Sequence, residues 1–137
     1  MNIAILGGSG FVGSKLINIL LQDNSLLIKN IDKNQSEHYP NITVLGNVLD
    51  KTNLSAELCG IDVVILLAAE HRDDVTPTSL YYDVNVQGMR NTLEAMTDHG
   101  ISRLIFTSSV AIYGLDKNNP DESFPAEPFK HNKKTSA

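Results

Sequence analysis

Short apolar runs alternate with amphipathic segments along the whole chain. Each run is four to six residues long and is followed by polar or turn-forming residues. Continuous apolar character over this length is typical of parallel strands that are buried on both faces. The runs predict five strands, at Ile3–Leu6, Leu26–Ile31, Ile42–Leu45, Val63–Leu67 and Leu104–Thr107.

Three segments between these runs carry apolar residues at helical spacing. They predict helices over Val12–Gln22, Lys51–Leu58 and Leu80–His99. Asp50 is a suitable N-cap for the second helix, and Gly100 is expected to end the third. Strands joined through helices form right-handed parallel crossovers, so we expect an α/β fold. Its form is a three-layer, doubly wound, Rossmann-like parallel sheet in the order 3-2-1-4-5.

The junction between the first strand and the first helix is rich in glycine. Gly8-x-Gly10-x-x-Gly13 fits the dinucleotide fingerprint, and Gly7-x-x-Gly10-x-x-Gly13 fits a looser variant of it. Backbone N–H groups and the helix dipole at such a junction can hold a pyrophosphate without any basic side chain. No Gly-Lys-Ser/Thr ending follows, which disfavours an ATP-binding P-loop.

An acidic residue stands at the distance that this fingerprint requires. Asp32 ends the second strand, 19 residues after Gly13, and a carboxylate there can accept hydrogen bonds from the adenosine ribose. It would also repel a 2′-phosphate, so we predict NAD and not NADP as the cofactor. The neighbouring Lys33 works against that preference. The alternative for Asp32 is a solvated residue at a strand end.

Length and charge narrow the class of protein. The 137 residues suffice for one domain. We expect a dinucleotide-binding domain over residues 1–114 and an irregular tail over residues 115–137, where prolines and a basic run accumulate. The net charge of −5 and the lack of a basic patch argue against a nucleic-acid partner.

Compartment and metal content follow from the remaining composition. No apolar stretch approaches the ~20 residues of a membrane span, so we expect no membrane partner. Cys59 is the single cysteine, which excludes an intrachain disulfide and fits a cytoplasmic location. The histidines at 38, 71, 99 and 131 lack metal-ligand spacing, so no metal site is expected.

Five short motifs occur together in a fixed order. They are the glycine loop at 7–13, Gly-Asn-Val-Leu-Asp (46–50), Leu-Leu-Ala-Ala (66–69), Tyr-Tyr-Asp-Val-Asn-Val-Gln-Gly (81–88) and Thr-Ser-Ser-Val-Ala-Ile-Tyr-Gly (107–114). On these motifs the chain resembles the N-terminal part of an extended short-chain dehydrogenase/reductase. The branch is the NAD-dependent sugar-nucleotide epimerases and dehydratases. The resemblance implies chemistry by hydride removal from a sugar and its return.

The resemblance also assigns cofactor roles to matching positions. The glycine loop would meet the pyrophosphate, and Asn47 with Val48 would contact adenine, although the family more often has Asp at position 47. His71 and Asn85 have ordinary alternatives, as an exposed loop histidine and a polar helix residue. The expected cofactor contacts are Gly7, Gly10, Phe11, Val12, Gly13, Asp32, Lys33, Asn47, Val48, Leu67, Ala68, Ala69, His71, Asn85 and Thr107.

Ser109 is the candidate for chemistry. The resemblance implies that it hydrogen-bonds a sugar hydroxyl and aids proton transfer at the end of the fifth strand. Ser108 is the one-residue alternative. In an extended strand Thr107 and Ser109 would share one side, with Ser108 on the other. The plain alternative is a set of hydroxyls that cap a strand end.

The family's Tyr-x-x-x-Lys pair is the missing part. On one helix face the lysine ammonium lowers the pKa of the phenol. Tyr113 and Lys117 have this spacing, but Gly114 and Pro120 predict a turn and not a helix, so we expect Tyr113 to pack. The family spacing places the tyrosine near Lys134, where none occurs. We therefore expect a relative truncated before the catalytic helix and the substrate subdomain, with little or no turnover.

The partners expected from these motifs are a dinucleotide and, through the resemblance, a nucleotide sugar. The alternatives are a non-catalytic NAD(H)-sensing or protein-interaction module, and a remnant without retained function. In relatives the helix equivalent to 80–99 pairs with the tyrosine helix in a dimer. An apolar face left open there would favour a homo-oligomer of another kind.

Overall fold

The computed structural model describes residues 1–70, 76–77, 79–113 and 121–126. The chain divides into two compact units, Met1–Phe106 and Thr107–Ala137. The sheet, the long helices and the buried core of the described residues all belong to the first unit. The domain boundary expected at residue 114 stays a prediction.

Five parallel strands form one sheet in the first unit. In chain order they are β1 (Asn2–Leu6), β2 (Leu27–Asp32), β3 (Thr43–Leu45), β4 (Val63–Leu66) and β5 (Leu104–Phe106). Their order across the sheet is β3-β2-β1-β4-β5, with every pair parallel. The predicted strands and their order are confirmed, and the ends differ by one residue.

The helices are α1 (Phe11–Leu20), α2 (Lys51–Glu57), α3 (Ser79–Tyr82) and α4 (Gly88–Asp98). Short 3-10 turns occupy Pro40–Ile42 and Val110–Tyr113. The predicted helices 12–22 and 51–58 correspond to α1 and α2. Within the described residues, a π-helical turn at Asp83–Gln87 separates α3 from α4.

The helix expected over Leu80–His99 is therefore confirmed as an unbroken helical segment over 79–98, but its middle is π-helical and not α-helical. Val84 and Met89 are five positions apart, yet both pack against the same core cluster. An α-helix would place such a pair well apart around its axis, whereas i→i+5 bonding brings the two close to one face. The N–H of Gly88 bonds to the carbonyl of Asp83 in this way.

Two predicted helix ends are confirmed. Asp50 caps α2, because its Oδ1 accepts from the N–H of Asn53 at 3.0 Å. Gly100 has φ of +66° after α4. The chain reverses there, and the N–H of Ile101 donates to the carbonyl of Met96 at 2.8 Å. This is the Schellman arrangement that glycine favours.

The core lies on both faces of the sheet. Ala4 and Leu6 of β1 pack with residues of α2 and α4. The alternate residues Ile3 and Ile5 pack with Ile17 of α1 on the other face. Both faces of β1 are thus covered, which explains its unbroken apolar run and confirms the three-layer prediction.

Candidate functional site

Three glycines in the loop after β1 are required by the packing of the chain itself. A Cβ at Gly7 would lie 2.6 Å from the backbone nitrogen of Ala68, and Gly7 has φ of +86°. A Cβ at Gly8 would lie 2.4 Å from Asn30 Oδ1, and one at Gly13 would lie 2.4 Å from Gly8 Cα. At Gly7 and Gly13 another residue would require a backbone shift, and at Gly8 it would displace the buried amide of Asn30.

Gly10 differs from these three. Within 4 Å, a Cβ there would meet only the Gly7 carbonyl oxygen, at 3.8 Å, which is ordinary contact. Gly10 is exposed and immediately precedes α1. The described part of the chain gives no packing reason for glycine at this position. The space beside Gly10 at the start of the helix is open, and a Cβ would occupy part of it. We call this space the cradle.

The N-terminus of α1 completes this cradle. The helix has no side-chain cap and no acidic residue in its first turn. Its first internal backbone bond runs from the Ser14 N–H to the Gly10 carbonyl at 2.9 Å, so the N–H groups before Ser14 point out of the helix end. Phe11 and Val12 are 82% and 58% exposed. Backbone donors and a helix dipole here suit an anion.

Asp32 ties this loop to the end of β2. Its Oδ2 accepts from the Ser9 N–H and its Oδ1 from the Asn34 N–H, both at 2.9 Å. Its backbone carbonyl accepts from the N–H of Gly46, after β3, at 2.9 Å. Because each carboxylate oxygen can accept two hydrogen bonds, Asp32 keeps capacity for a ribose hydroxyl. Lys33 beside it is exposed.

Asn30 is a residue of this site that the sequence reasoning missed. Its side chain is fully buried, and its Oδ1 accepts from the Gly8 N–H at 2.9 Å. Its Nδ2 donates to Ser9 Oγ at 3.1 Å and to Thr43 Oγ1 at 2.9 Å. An asparagine inside a strand buried on both faces was the available signal, since buried amides are hydrogen-bonded.

The segment after β3 is fixed by helix α4. Val48 is buried, and its carbonyl accepts from Asn91 Nδ2 at 2.9 Å. A Cβ at Gly88 would lie 2.7 Å from Val48 Cγ2, so glycine allows the helix to come this close. Asn47 is exposed, and its Oδ1 accepts from the Leu49 N–H at 3.0 Å. Asn91 and Gly88 were not expected to shape the site.

The segment after β4 is fixed at both ends. The N–H groups of Leu67 and Ala68 both donate to the Leu6 carbonyl at 2.8 Å. Farther along, Asn85 of the π-helical turn pairs with Glu70, with its Oδ1 accepting from the Glu70 N–H (2.8 Å) and its Nδ2 donating to the Glu70 carbonyl (2.9 Å). Ala69 between them is exposed.

The expected cofactor residues of the first unit thus converge, where they are described, on one edge of the sheet. The loops after β1, β2, β3 and β4 all leave its carboxyl edge, where ligands of doubly wound sheets bind. An open groove of about 740 Å³ lies beside the glycine loop, between α1 and the segment after β2. Its lining includes Ser9, Gly10, Asn34 and Gln35.

The second unit carries the candidate for chemistry. β5 ends at Phe106, so Thr107 and Ser109 lie just beyond the paired strand, and their expected position on one side of an extended strand stays a prediction. Residues 107–109 are irregular and exposed, and the Ser109 carbonyl accepts from the N–H of Ile112 at 3.3 Å. Tyr113 ends the 3-10 turn. His71, the 114–120 segment with Lys117, and Lys134 lie outside the described residues.

No group of three or more His, Cys, Asp or Glu side chains among the described residues is placed to hold a metal ion. No helix of the described ranges has the length and apolar character needed to cross a membrane.

The sequence profile of the NAD dependent epimerase/dehydratase family matches residues 3–135. The chain belongs to this family. A curated relative in Escherichia coli, N-acetyl-alpha-D-glucosaminyl-diphospho-ditrans,octacis-undecaprenol 4-epimerase, is 58% identical over 95% of this chain and 39% of its own length. UDP-glucose 4-epimerase 2 of Oryza sativa is 30% identical over 92% of this chain and 36% of its own.

Solved structures of this family have the same fold. UDP-glucose 4-epimerase from Brucella ovis, in complex with NAD, superposes with a TM-score of 0.81 at 26% identity, over 93% of this chain and 42% of that one. A dTDP-glucose 4,6-dehydratase from Streptomyces venezuelae with NAD bound superposes with a TM-score of 0.81 at 27% identity, over 93% of this chain and 46% of that one. The chain spans less than half the length of these relatives and matches their N-terminal part.

Proposed function

We propose that this chain binds NAD at the carboxyl edge of its sheet, as the cofactor-binding region of a nucleotide-sugar epimerase or dehydratase. The observation that carries the proposal is the contrast among the loop glycines. Gly7, Gly8 and Gly13 are explained by the packing of the chain itself, whereas Gly10 opens toward the uncapped end of α1. A pyrophosphate would supply the missing reason for Gly10.

The residues present fit NAD along its length. The N–H groups of Phe11, Val12 and Gly13 would bind the pyrophosphate, and Asp32 would accept from the adenosine ribose. Asn47 and Val48 would flank the adenine, held at their observed position by α4. Leu67–Ala69 would pass beneath the dinucleotide. Bound NAD supplies a hydride acceptor for a sugar carbon and returns the hydride.

Four further predicted contacts remain predictions. Lys33, His71 and Thr107 rest on the family resemblance. Asn85 has a second proposed role. Its side chain bonds to the backbone of Glu70 and would thereby fix the course of the segment 67–70. We keep the cytoplasmic location as part of this proposal, together with the absence of a nucleic-acid partner.

The proposed substrate class of the whole protein is a hexose linked to a diphosphate. The two curated relatives described above are both named as 4-epimerases of such sugars. The 58% identity to the Escherichia coli relative favours an N-acetylhexosamine on a polyprenyl diphosphate over a UDP-sugar. Ser109 would hydrogen-bond the sugar hydroxyl.

We further propose that the 137 residues alone have little or no turnover. The only tyrosine with a lysine four positions later is Tyr113. It ends a 3-10 turn, and a glycine follows it, so a helical tyrosine–lysine face is not expected there. The described residues therefore contain no helical tyrosine–lysine pair that could supply a phenolate as general base for the sugar hydroxyl.

Titration of the purified chain with NADH and NADPH by fluorescence tests the binding proposal. We expect saturable NADH binding and weaker NADPH binding. Asp32→Asn keeps one oxygen acceptor but removes the charge. It should therefore reduce the ratio of the NADPH to the NADH dissociation constant by about tenfold, or about 1.4 kcal/mol. No binding of either dinucleotide at millimolar concentration would overturn the proposal, and tighter NADPH binding would refute the role of Asp32.

Turnover is measured separately. The chain is incubated with NAD and either UDP-N-acetylglucosamine or N-acetylglucosaminyl-diphospho-undecaprenol, and sugar products are separated by chromatography. We expect no product above the protein-free control, and product formation would contradict the claim of inactivity. NADH binding that changes association with another protein would instead support the sensing or interaction module.

A further inference from the structure

We propose that Asn30 is a positioning residue that sets the glycine loop in place for the pyrophosphate of the dinucleotide. The inference rests on the proposed NAD binding. The hydrogen bonds of the Asn30 side chain go to Gly8, Ser9 and Thr43 and not to α1. It acts through Gly8 and Ser9, the two loop residues that precede Gly10.

The amide of Asn30 is the direct support of the loop backbone. The Gly8 N–H donates to Asn30 Oδ1 at 2.9 Å in a buried position, and a Cβ on Gly8 would lie 2.4 Å from that oxygen. Loop and amide are therefore in close contact, with no space between them for a water molecule. A change in the length or polarity of residue 30 must move the loop.

The orientation of this amide is fixed by its partners. The Gly8 N–H requires an acceptor, so Oδ1 faces the loop and Nδ2 faces the hydroxyls of Ser9 and Thr43. Each hydroxyl donates onward to a carbonyl, Ser9 Oγ to Asn34 at 2.8 Å and Thr43 Oγ1 to Tyr39 at 2.7 Å. All donors and acceptors agree in direction, as a fully satisfied buried network requires.

The network joins the two segments that would hold the pyrophosphate and the ribose. Asn30 and Asp32 lie two positions apart on β2, so their side chains share one side of the strand. Asn30 binds Gly8 and the Ser9 hydroxyl, while Asp32 binds the Ser9 and Asn34 N–H groups. An apolar residue at position 30 could fill the same buried space but would leave the loop without this link.

Two variants separate loop positioning from stability. Asn30→Leu is similar in size and removes all three bonds, including the one to Gly8. Thr43→Val is the matched control, because it removes the Asn30–Thr43 and Thr43–Tyr39 bonds and leaves the bonds of Asn30 to Gly8 and Ser9 in place. Both substitutions break the same buried network, so both should lower the melting temperature.

The test measures binding of NADH and ADP-ribose together with amide hydrogen exchange at Gly8 and Ser9. For Asn30→Leu we expect dissociation constants at least about tenfold higher and Gly8 exchange at least about tenfold faster. For Thr43→Val both quantities should stay within about threefold of the unmodified chain. ADP-ribose contains the pyrophosphate without nicotinamide, so the loss should be equal for the two ligands.

Other results would overturn the inference. Unchanged affinity and exchange in Asn30→Leu would do so, as would equal losses in Thr43→Val. If the unmodified chain binds no dinucleotide, the proposed function fails, and the exchange measurement alone decides whether Asn30 positions the loop. If Asn30→Leu does not fold, Ser9→Ala removes the Asn30–Ser9 bond from a partly exposed residue. An unchanged rate of amide hydrogen exchange at residue 9 in that variant would contradict the positioning role of Asn30.

Discussion

At the scale of single residues, two glycines three positions apart are glycine for different reasons. A Cβ at Gly13 would lie 2.4 Å from the backbone of Gly8, whereas one at Gly10 would meet only ordinary contact at 3.8 Å. The first constraint belongs to the fold. The requirement for glycine at position 10 would come from a ligand that binds at the start of α1.

This contrast predicts opposite outcomes for two alanine substitutions. Gly13→Ala should lower the free energy of unfolding by about 3 kcal/mol, since backbone has to move to admit the methyl group. Gly10→Ala should cost at most about 1 kcal/mol, the difference between glycine and alanine at an N-cap. It should nevertheless weaken NADH binding by at least about tenfold, or 1.4 kcal/mol.

Urea unfolding and NADH fluorescence titration measure the two effects on the same samples. A Gly10→Ala chain that binds NADH as well as the unmodified chain would show that the space above Gly10 is not used. A Gly13→Ala chain of unchanged stability would show that the loop can relax around the added methyl group.

The glycine loop and Asp32 could be predicted because their spacing along the chain is itself the signal. Asn30 could not be read in this way. Its partners lie 22, 21 and 13 residues away, and only the folded sheet brings them together. Asn91 is similar, because its bond to the Val48 carbonyl spans 43 residues.

At the scale of elements, helix α4 sets the position of the segment after β3. Gly88, at the start of α4, lies against Val48 with no space for a Cβ. Asn91, one turn later, holds the carbonyl of the same valine. The expected adenine contacts therefore depend on a helix that lies 40 residues farther along the chain.

Gly88→Ala brings two effects of opposite sign into competition. Alanine favours a helix over glycine by about 1 kcal/mol. The added methyl would lie 2.7 Å from Val48 Cγ2, and Val48 is buried, with a stiff branched side chain. Overpacking costs typically about 1–3 kcal/mol, so we expect net destabilisation of about 1 kcal/mol.

The double variant Gly88→Ala/Val48→Ala is the control for this prediction. Removal of the valine methyl groups takes away the clash, so Gly88→Ala should become neutral or stabilising when added to Val48→Ala. Chemical denaturation of the four chains gives the coupling energy. Equal effects of Gly88→Ala in both backgrounds would contradict the proposed contact.

The π-helical turn at Asp83–Gln87 is the part of the secondary structure that the apolar pattern did not predict. Apolar positions from 80 to 96 recur at a spacing close enough to 3.6 to suggest one helix. The pair Val84 and Met89 did carry the signal, since five-residue spacing places an α-helical pair on different faces. Asn85 lies in the wider turn, where its amide pairs with the backbone of Glu70.

At the scale of the whole molecule, the apolar residues that the structure shows as buried all belong to Met1–Phe106. The described members of both core clusters lie within that unit. We therefore predict that a chain of residues 1–106 unfolds cooperatively and, because it lacks only the proposed Thr107 contact, binds NADH within about tenfold of the full chain, a difference of about 1.4 kcal/mol. Circular dichroism and fluorescence titration check this. A molten 1–106 chain would show that residues 107–137 complete the fold.

The fold class and strand order were predictable because five buried parallel strands leave a strong pattern of apolar runs. The course of residues 107–113 was not, because Val110–Tyr113 has the apolar composition of a strand end and yet forms a 3-10 turn. Self-association stays a prediction. Tyr82 and Leu93, on the helical segment 79–98, are 57% and 45% exposed, and sedimentation velocity would measure the assembly.

The start of α1 offers peptide N–H groups, one ammonium group (Lys15) lines the adjoining groove, and the chain as a whole carries a net charge of −5. An anionic dinucleotide therefore approaches a protein of its own sign and is attracted only at close range. Added salt should speed association, because it screens the long-range repulsion first. Lysine-lined phosphate sites behave in the opposite way, so stopped-flow rates at several KCl concentrations would reveal which kind of site this is.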